Sequence, residues 1–181
     1  RILSHIGENI SIMHRYSQEK TPFIPFEQEW KLTENTIAIQ KEIFLPDLEV
    51  QVENFGAIPS DYRLPMGIVQ VIVENSLLHG LRHRTEPPYQ LRIAFWERSN
   101  MYGISISDNG IGVAASKKIA GVQRHGTGLR NIQRILNILD KHFDDAITIT
   151  MTEKDKEDPK YPGTMTIIQL KKSINYEKIS L

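Results

Sequence analysis

The chain of 181 residues has the length of one domain with room for a helical appendage, and it can bury a sizeable core. It is 40% hydrophobic and 24% charged, a globular composition, and its 22 Lys and Arg balance 22 Asp and Glu. That balance argues against nucleic acid or an anionic membrane surface as a partner, and the lack of cysteine excludes disulfides, thiolate catalysis and cysteine zinc sites. No apolar run approaches the roughly 20 residues of a membrane span. The start, Arg1-Ile2-Leu3-Ser4-His5, has neither an initiator methionine nor a signal-peptide pattern, so the chain reads as an excised fragment.

Ile2 to Glu19 carries Ile2, Ile6, Ile10 and Met13 at spacings of three and four, which predicts an amphipathic helix whose apolar stripe seeks a second helix. Residues 21–26 read as a linker, because Pro22 and Pro25 lack a backbone donor and disfavour a helical residue before them. Glu27 to Leu45 resumes a helical pattern through Trp30, Ile37, Ile39 and Phe44, and Leu48 to Val52 alternates as a strand does. Leu64 to Leu81 is predicted as one helix with Ile68, Val69, Ile72, Val73 and Leu77 on its apolar side. Gln90 to Trp96 and Met101 to Ser107 form a predicted hairpin around Glu97-Arg98-Ser99-Asn100. Thr127 to Lys141 is helical in period, and Ala146 to Thr152 and Thr164 to Leu170 are strands flanking an exposed charged loop, Glu153 to Lys160. Strands that are hairpin neighbours, interleaved with helices, predict an α+β layer: a mixed sheet with helices on one face and the other face wet.

Three polar, glycine-rich clusters carry the candidate chemistry. In Val73-Glu74-Asn75-Ser76-Leu77-Leu78-His79-Gly80, Asn75 and His79 stand four apart on one helix face, and a carboxamide oxygen there suits Mg²⁺. The alternative is a helix end with a satisfied Asn and a glycine cap. In Ser107-Asp108-Asn109-Gly110-Ile111-Gly112, Asp108 at a strand end can accept from an exocyclic amine such as adenine's, while the glycines permit close backbone approach. A plain Asn-Gly turn is the competing reading. In His125-Gly126-Thr127-Gly128-Leu129-Arg130-Asn131, a glycine pair opens a helix whose unsatisfied amides suit a phosphate, against an ordinary Thr N-cap. Pro162-Gly163-Thr164 before the last strand is a fourth, weaker element.

In their order, these clusters resemble the nucleotide-binding boxes of the Bergerat-fold ATPases, the superfamily of gyrase, Hsp90, histidine kinases and MutL, over residues 64–170. Gln70 to Gly80, with its Glu-Asn pair ahead of His-Gly, resembles the LytS/YehU-type sensor histidine kinases. Arg15-Tyr16-Ser17 is similar to the Arg-Tyr that closes the second dimerisation helix of that family.

The resemblance implies a Bergerat α/β sandwich at 27–173, preceded by part of a dimerisation helix (1–20) and the linker, and followed by a tail (174–181). It implies an ATP-dependent protein histidine kinase domain that transfers the γ-phosphoryl group to a histidine absent from the fragment. Asp108, Gly110, Gly112, Gly126, Thr127, Gly128, Leu129 and Thr164 would bind ATP, Asn75 and His79 would act at the phosphates, and Asn75 would hold Mg²⁺. The segment Val113 to His125 would be a lid. Homodimerisation, a response regulator as partner, and a cytoplasmic position in an inner-membrane-anchored bacterial parent follow from the same likeness. Val71 stands where gyrase-like and Hsp90-like ATPases carry a water-activating Glu, which disfavours hydrolysis, and Leu78 stands where many histidine kinases carry Lys. A degenerate module acting by protein contact and a hydrolytic gyrase-like or Hsp90-like ATPase are the other readings.

Overall fold

The structure, a computed structural model, describes residues 1–18, 22–120, 127–141, 146–154 and 160–174. The chain runs α1 (Ile2–Gln18), β1 (Phe23–Pro25), α2 (Phe26–Ile43), β2 (Leu48–Glu53), β3 (Arg63–Pro65), α3 (Ile68–Asn75), β4 (Tyr89–Arg98) and β5 (Met101–Asp108). It continues through α4 (Gly112–Ala120), α5 (Thr127–Asp140), β6 (Ile147–Glu153) and β7 (Thr164–Lys171).

Five strands form one mixed sheet in the order β2-β4-β5-β7-β6, with β2 and β4 parallel and the other neighbours antiparallel. Side chains alternate between its faces. Leu91, Ile93 and Phe95 of β4, Ile104 and Ile106 of β5, and Ile168 and Leu170 of β7 are buried on one face. Gln90 and Arg92 are exposed on the other, where Arg92 makes a two-pronged bond to Glu53 of β2 at 2.8 and 2.7 Å. Ile68, Val69, Ile72 and Val73 of α3, Ile132, Leu136 and Leu139 of α5, and Phe26 and Trp30 of α2 join the buried face in one core. Each such side chain contributes roughly 1.5–3 kcal/mol of burial. The fold is the expected α+β sandwich, with helices on one face of a mixed sheet.

Three local expectations change. The prolines of the expected linker do exclude helix, but the extended backbone they favour pairs antiparallel with β3, Ile24 opposite Leu64, and Ile24 is fully buried. The helix expected from Leu64 begins at Ile68, because Arg63–Pro65 is strand and Gly67 turns the chain with a left-handed φ of 82°. In α1 the buried positions are Ile12 and Tyr16, packed with Leu32 of α2 and with Ile24. The predicted stripe instead leaves Ile6 39%, Ile10 62% and Met13 37% exposed. Polar bonds select that docked face: His5 Nδ1 pairs with Asn35 Oδ1 of α2 at 2.8 Å, and Asn35 Nδ2 donates to Glu8 and Asn9.

Candidate functional site

Asp108 ends β5 in register with Thr164, the first residue of β7, and is 1% exposed. The Thr164 hydroxyl donates to Oδ2, the Gly110 N–H donates to Oδ1 at 2.8 Å, and Ser76 adds a side-chain hydrogen bond. Burial pushes the Asp108 carboxyl above the ordinary carboxylate range, against the opposite pull of these donors. The group is an acceptor held rigidly at the rim of the core, where β5, β7 and the segment after α3 meet.

Glycines make that meeting sterically feasible. The Ile111 N–H donates to the Gly80 carbonyl at 3.3 Å, and the Gly163 N–H to the Gly110 carbonyl at 3.0 Å. A Cβ on Gly110 would stand 2.3 Å from the Gly80 carbonyl carbon, which nothing short of backbone movement relieves. Gly110→Ala is therefore expected to destabilise the domain by about 1–3 kcal/mol, read as a fall in thermal midpoint; an unchanged midpoint would contradict the packing described. Gly112 opens α4 with φ 79°, and its Cβ direction meets Pro162 at 2.5 Å, so this glycine packs against protein. The lid segment expected from Val113 is helical through Ala120, held at its start by the Ala114 N–H donating to Glu153 Oε1 at 3.1 Å; residues 121–126 lie outside the described residues.

Asn75 is the last residue of α3, and Ser76–Gly80 continues as a π-helical turn. A π turn inserted after an α-helix widens it locally. Here it carries Ser76 to Asp108 and sets Gly80 against the same carboxylate, with a Cβ position 3.0 Å from Oδ1. His79 is half-buried within the turn. Asn75 Nδ2 is buried with no hydrogen-bond partner, a donor of the kind that a phosphate oxygen or a water satisfies. Thr127 opens α5, so the first-turn amides of Thr127, Gly128 and Leu129 have no partners within that helix. Gly128 lies flat on α3, its Cβ position 2.9 Å from a Val71 methyl. Gly126 lies outside the described residues.

The structure thus brings Asp108, Gly110, Thr164 and the Asn75 turn together and sets the start of α5 against α3. Sequence reading missed two supports. Arg84 donates to the Asn109 carbonyl at 2.7 Å and stacks 4.1 Å from the Tyr161 ring centre, while Tyr161 Oη bonds Thr85 Oγ1 at 2.7 Å. Ser76 read only as helix. Neither residue carries a local sequence sign, since its partner is distant in the chain. The described residues contain no cluster of three or more His, Asp or Glu that could hold a metal ion by themselves. The buried, unpartnered carboxamide nitrogen of Asn75 is the polar group at the end of α3 left available to a ligand.

No family model matches the chain. A relative from Bacillus subtilis (strain 168), the putative uncharacterized protein YwpD, is 30% identical over 129 residues, covering 70% of this chain and 44% of that protein. The chain therefore spans less than half the length of this relative. Among solved structures, the Acinetobacter baumannii histidine kinase AdeS matches with a TM-score of 0.53 at 13% identity over 96% of this chain and 80% of its own. The mycobacterial sensor histidine kinase MprB matches with a TM-score of 0.51 at 13% identity, covering 82% of this chain and 95% of its own. A nucleotide-free catalytic domain of histidine kinase ThkA gives 0.51 at 16% identity, covering 84% and 99%. These likenesses show the fold, that of histidine kinase catalytic domains.

Proposed function

We propose that this chain is the ATP-binding catalytic module of a sensor histidine kinase of the LytS/YehU type, serving transfer of the γ-phosphoryl group of ATP to a histidine on a dimerisation helix. The carrying observation is the buried Asp108 carboxylate, presented beside Thr164 and Gly110 at the sheet end. It offers an acceptor to the exocyclic amine of adenine. The first-turn amides of α5 would take the phosphates, and His79 would stand near them. Mg²⁺, when bound, would neutralise charge on the phosphates, with Asn75 as its protein ligand. The protein's share of such a transfer is positioning and fixed dipoles.

The Glu74-Asn75 and His79-Gly80 pairs favour the LytS/YehU type, as does Tyr16, buried where α1 meets α2. The exposed stripe of Leu3, Ile6, Ile10 and Met13 on α1 suits a homodimer partner helix. The acceptor histidine is sought on a dimerisation helix other than α1, where His5 bonds Asn35 and His14 bonds Gln18. A response regulator would then receive the phosphoryl group. A hydrolytic ATPase is disfavoured because Val71, where a water-activating acid would stand, packs against Gly128. No helix of the described residues is long and apolar enough to cross a membrane.

Calorimetric titration with Mg-ATP and Mg-ADP tests the reading. Wild-type chain is expected to bind both, and Asn75→Ala to lose the benefit of Mg²⁺, a drop of about tenfold in affinity. Wild-type chain that releases no binding heat and leaves nucleotide free would instead support a module acting by protein contact.

A further inference from the structure

Glu29 lies near the start of α2 and is fully buried. Its partners are at the N-terminus of α3: Oε2 accepts from the Gly67 N–H at 2.6 Å, and Oε1 from the Val69 and Gln70 N–H groups at 2.8 and 3.0 Å. A buried carboxylate is costly to keep unless such donors surround it. Helices ordinarily satisfy these first amides with a Ser, Thr, Asp or Asn at their own N-cap. Here the N-cap is Gly67, which has no side chain to offer. The cap comes from another helix, so it fixes where α3 sits relative to α2 as well as satisfying its amides.

What α3 carries gives that placement a consequence. The helix has only eight residues, ending at Asn75, so the capped amides and Asn75 lie on one short rigid rod, roughly 8 Å apart at the α-helical rise. Between them Val71 is the surface on which Gly128 at the start of α5 rests. Both halves of the candidate phosphate site, the Asn75 carboxamide and the first-turn amides of α5, therefore take their positions from α3.

We propose that Glu29 is a positioning residue of the nucleotide site, acting through α3 on Asn75 and on the seat of Gly128; the inference rests on the nucleotide-binding reading above. Glu29→Gln is the discriminating variant, since it keeps volume and one carbonyl acceptor for Val69 and Gln70 but turns an amide NH₂ toward the Gly67 N–H. Leu48→Ala, in the edge strand β2 and without a bond to Glu29 or to the α3 amides, is the control for plain loss of core stability.

Mg-ADP titrations are run where thermal melts show every variant folded. Glu29→Gln is expected to raise the Kd for Mg-ADP about tenfold. Leu48→Ala is expected to stay within about twofold of wild type even though it melts lower. Amide exchange at Asn75 and Ser76 should quicken in Glu29→Gln and not in the control. Equal Kd values for wild type and Glu29→Gln, unchanged exchange at Asn75, or equal weakening by Leu48→Ala would overturn the positioning role while leaving the nucleotide reading intact. Wild-type chain that does not bind Mg-ADP would overturn both, and that result is seen before any variant is compared.

Discussion

Asp108→Asn is expected to fold and to lose adenine-nucleotide affinity by about a hundredfold or more, measured by calorimetry beside wild type. The carboxylate is acceptor-only, and the donors around it are the Thr164 hydroxyl, the Ser76 hydroxyl and the Gly110 and Thr164 N–H groups. Two of these are hydroxyls, which can reorient to accept from an Asn NH₂, so the fold tolerates the change. An incoming exocyclic amine cannot reorient in the same way and would meet a donor. A hydrogen bond to a charged group contributes about 1.5–3 kcal/mol, and leaving a buried donor unpaired adds to the loss, which gives the expected magnitude. The fold should gain in a second respect. Burial raises the Asp108 pKa above its ordinary value, so the wild-type carboxyl withdraws stability as pH climbs through the folded pKa. The neutral variant does not, and its stability relative to wild type should improve as pH rises from about 3.8 through the raised folded pKa. Undiminished nucleotide binding by Asp108→Asn would remove Asp108 from the base site.

The sheet was legible because half-buried strands alternate, and Leu91-Arg92-Ile93-Ala94-Phe95 does so without interruption. The glycine clusters were legible because turns and close approaches permit few other residues, and Gly110 against Gly80 is a case where the structure requires it. What escaped depends on partners remote in sequence. Residues 21–26 read as a linker because Pro22 and Pro25 disfavour helix, and nothing local announces the three-residue ladder of Phe23–Pro25 to β3. The docked face of α1 was misassigned because an apolar period alone cannot choose between adjacent stripes, whereas the His5–Asn35–Glu8 network, visible only in three dimensions, does. The π turn after Asn75 has no compositional sign. Glu29 looked like any acid in the first turn of a helix, favourable to the helix dipole. Its actual use, capping a different helix, required α2 and α3 to be seen together.

Glu29 should also leave its mark on stability, independently of any ligand. Burial pushes its carboxyl up to about 7 from an ordinary 4.5, against the lowering effect of the Gln70, Gly67 and Val69 amides. Because the folded pKa is the higher one, the folded chain holds this proton more tightly. The group's contribution to stability is fully present below about pH 4.5 and is lost as pH rises through about 7. At roughly 1.4 kcal/mol per pH unit, that window corresponds to a loss on the order of 3 kcal/mol in wild-type chain. Glu29→Gln cannot ionise, yet it forfeits the acceptor for the Gly67 N–H, a cost of about 1–3 kcal/mol at every pH. Urea unfolding of the two proteins between pH 4.5 and 8 should therefore show the variant clearly weaker at the acid end and nearly level with wild type at the alkaline end. Taking the difference between the two chains cancels the contribution of Asp108, which shifts in the same direction and is present in both. Parallel profiles would mean that the Glu29 carboxyl titrates at its ordinary value, with enough water reaching the α2–α3 junction to solvate it. A converging pair would establish that the cap on α3 is a desolvated acid, held in place by the same three amides that fix the rod bearing Asn75.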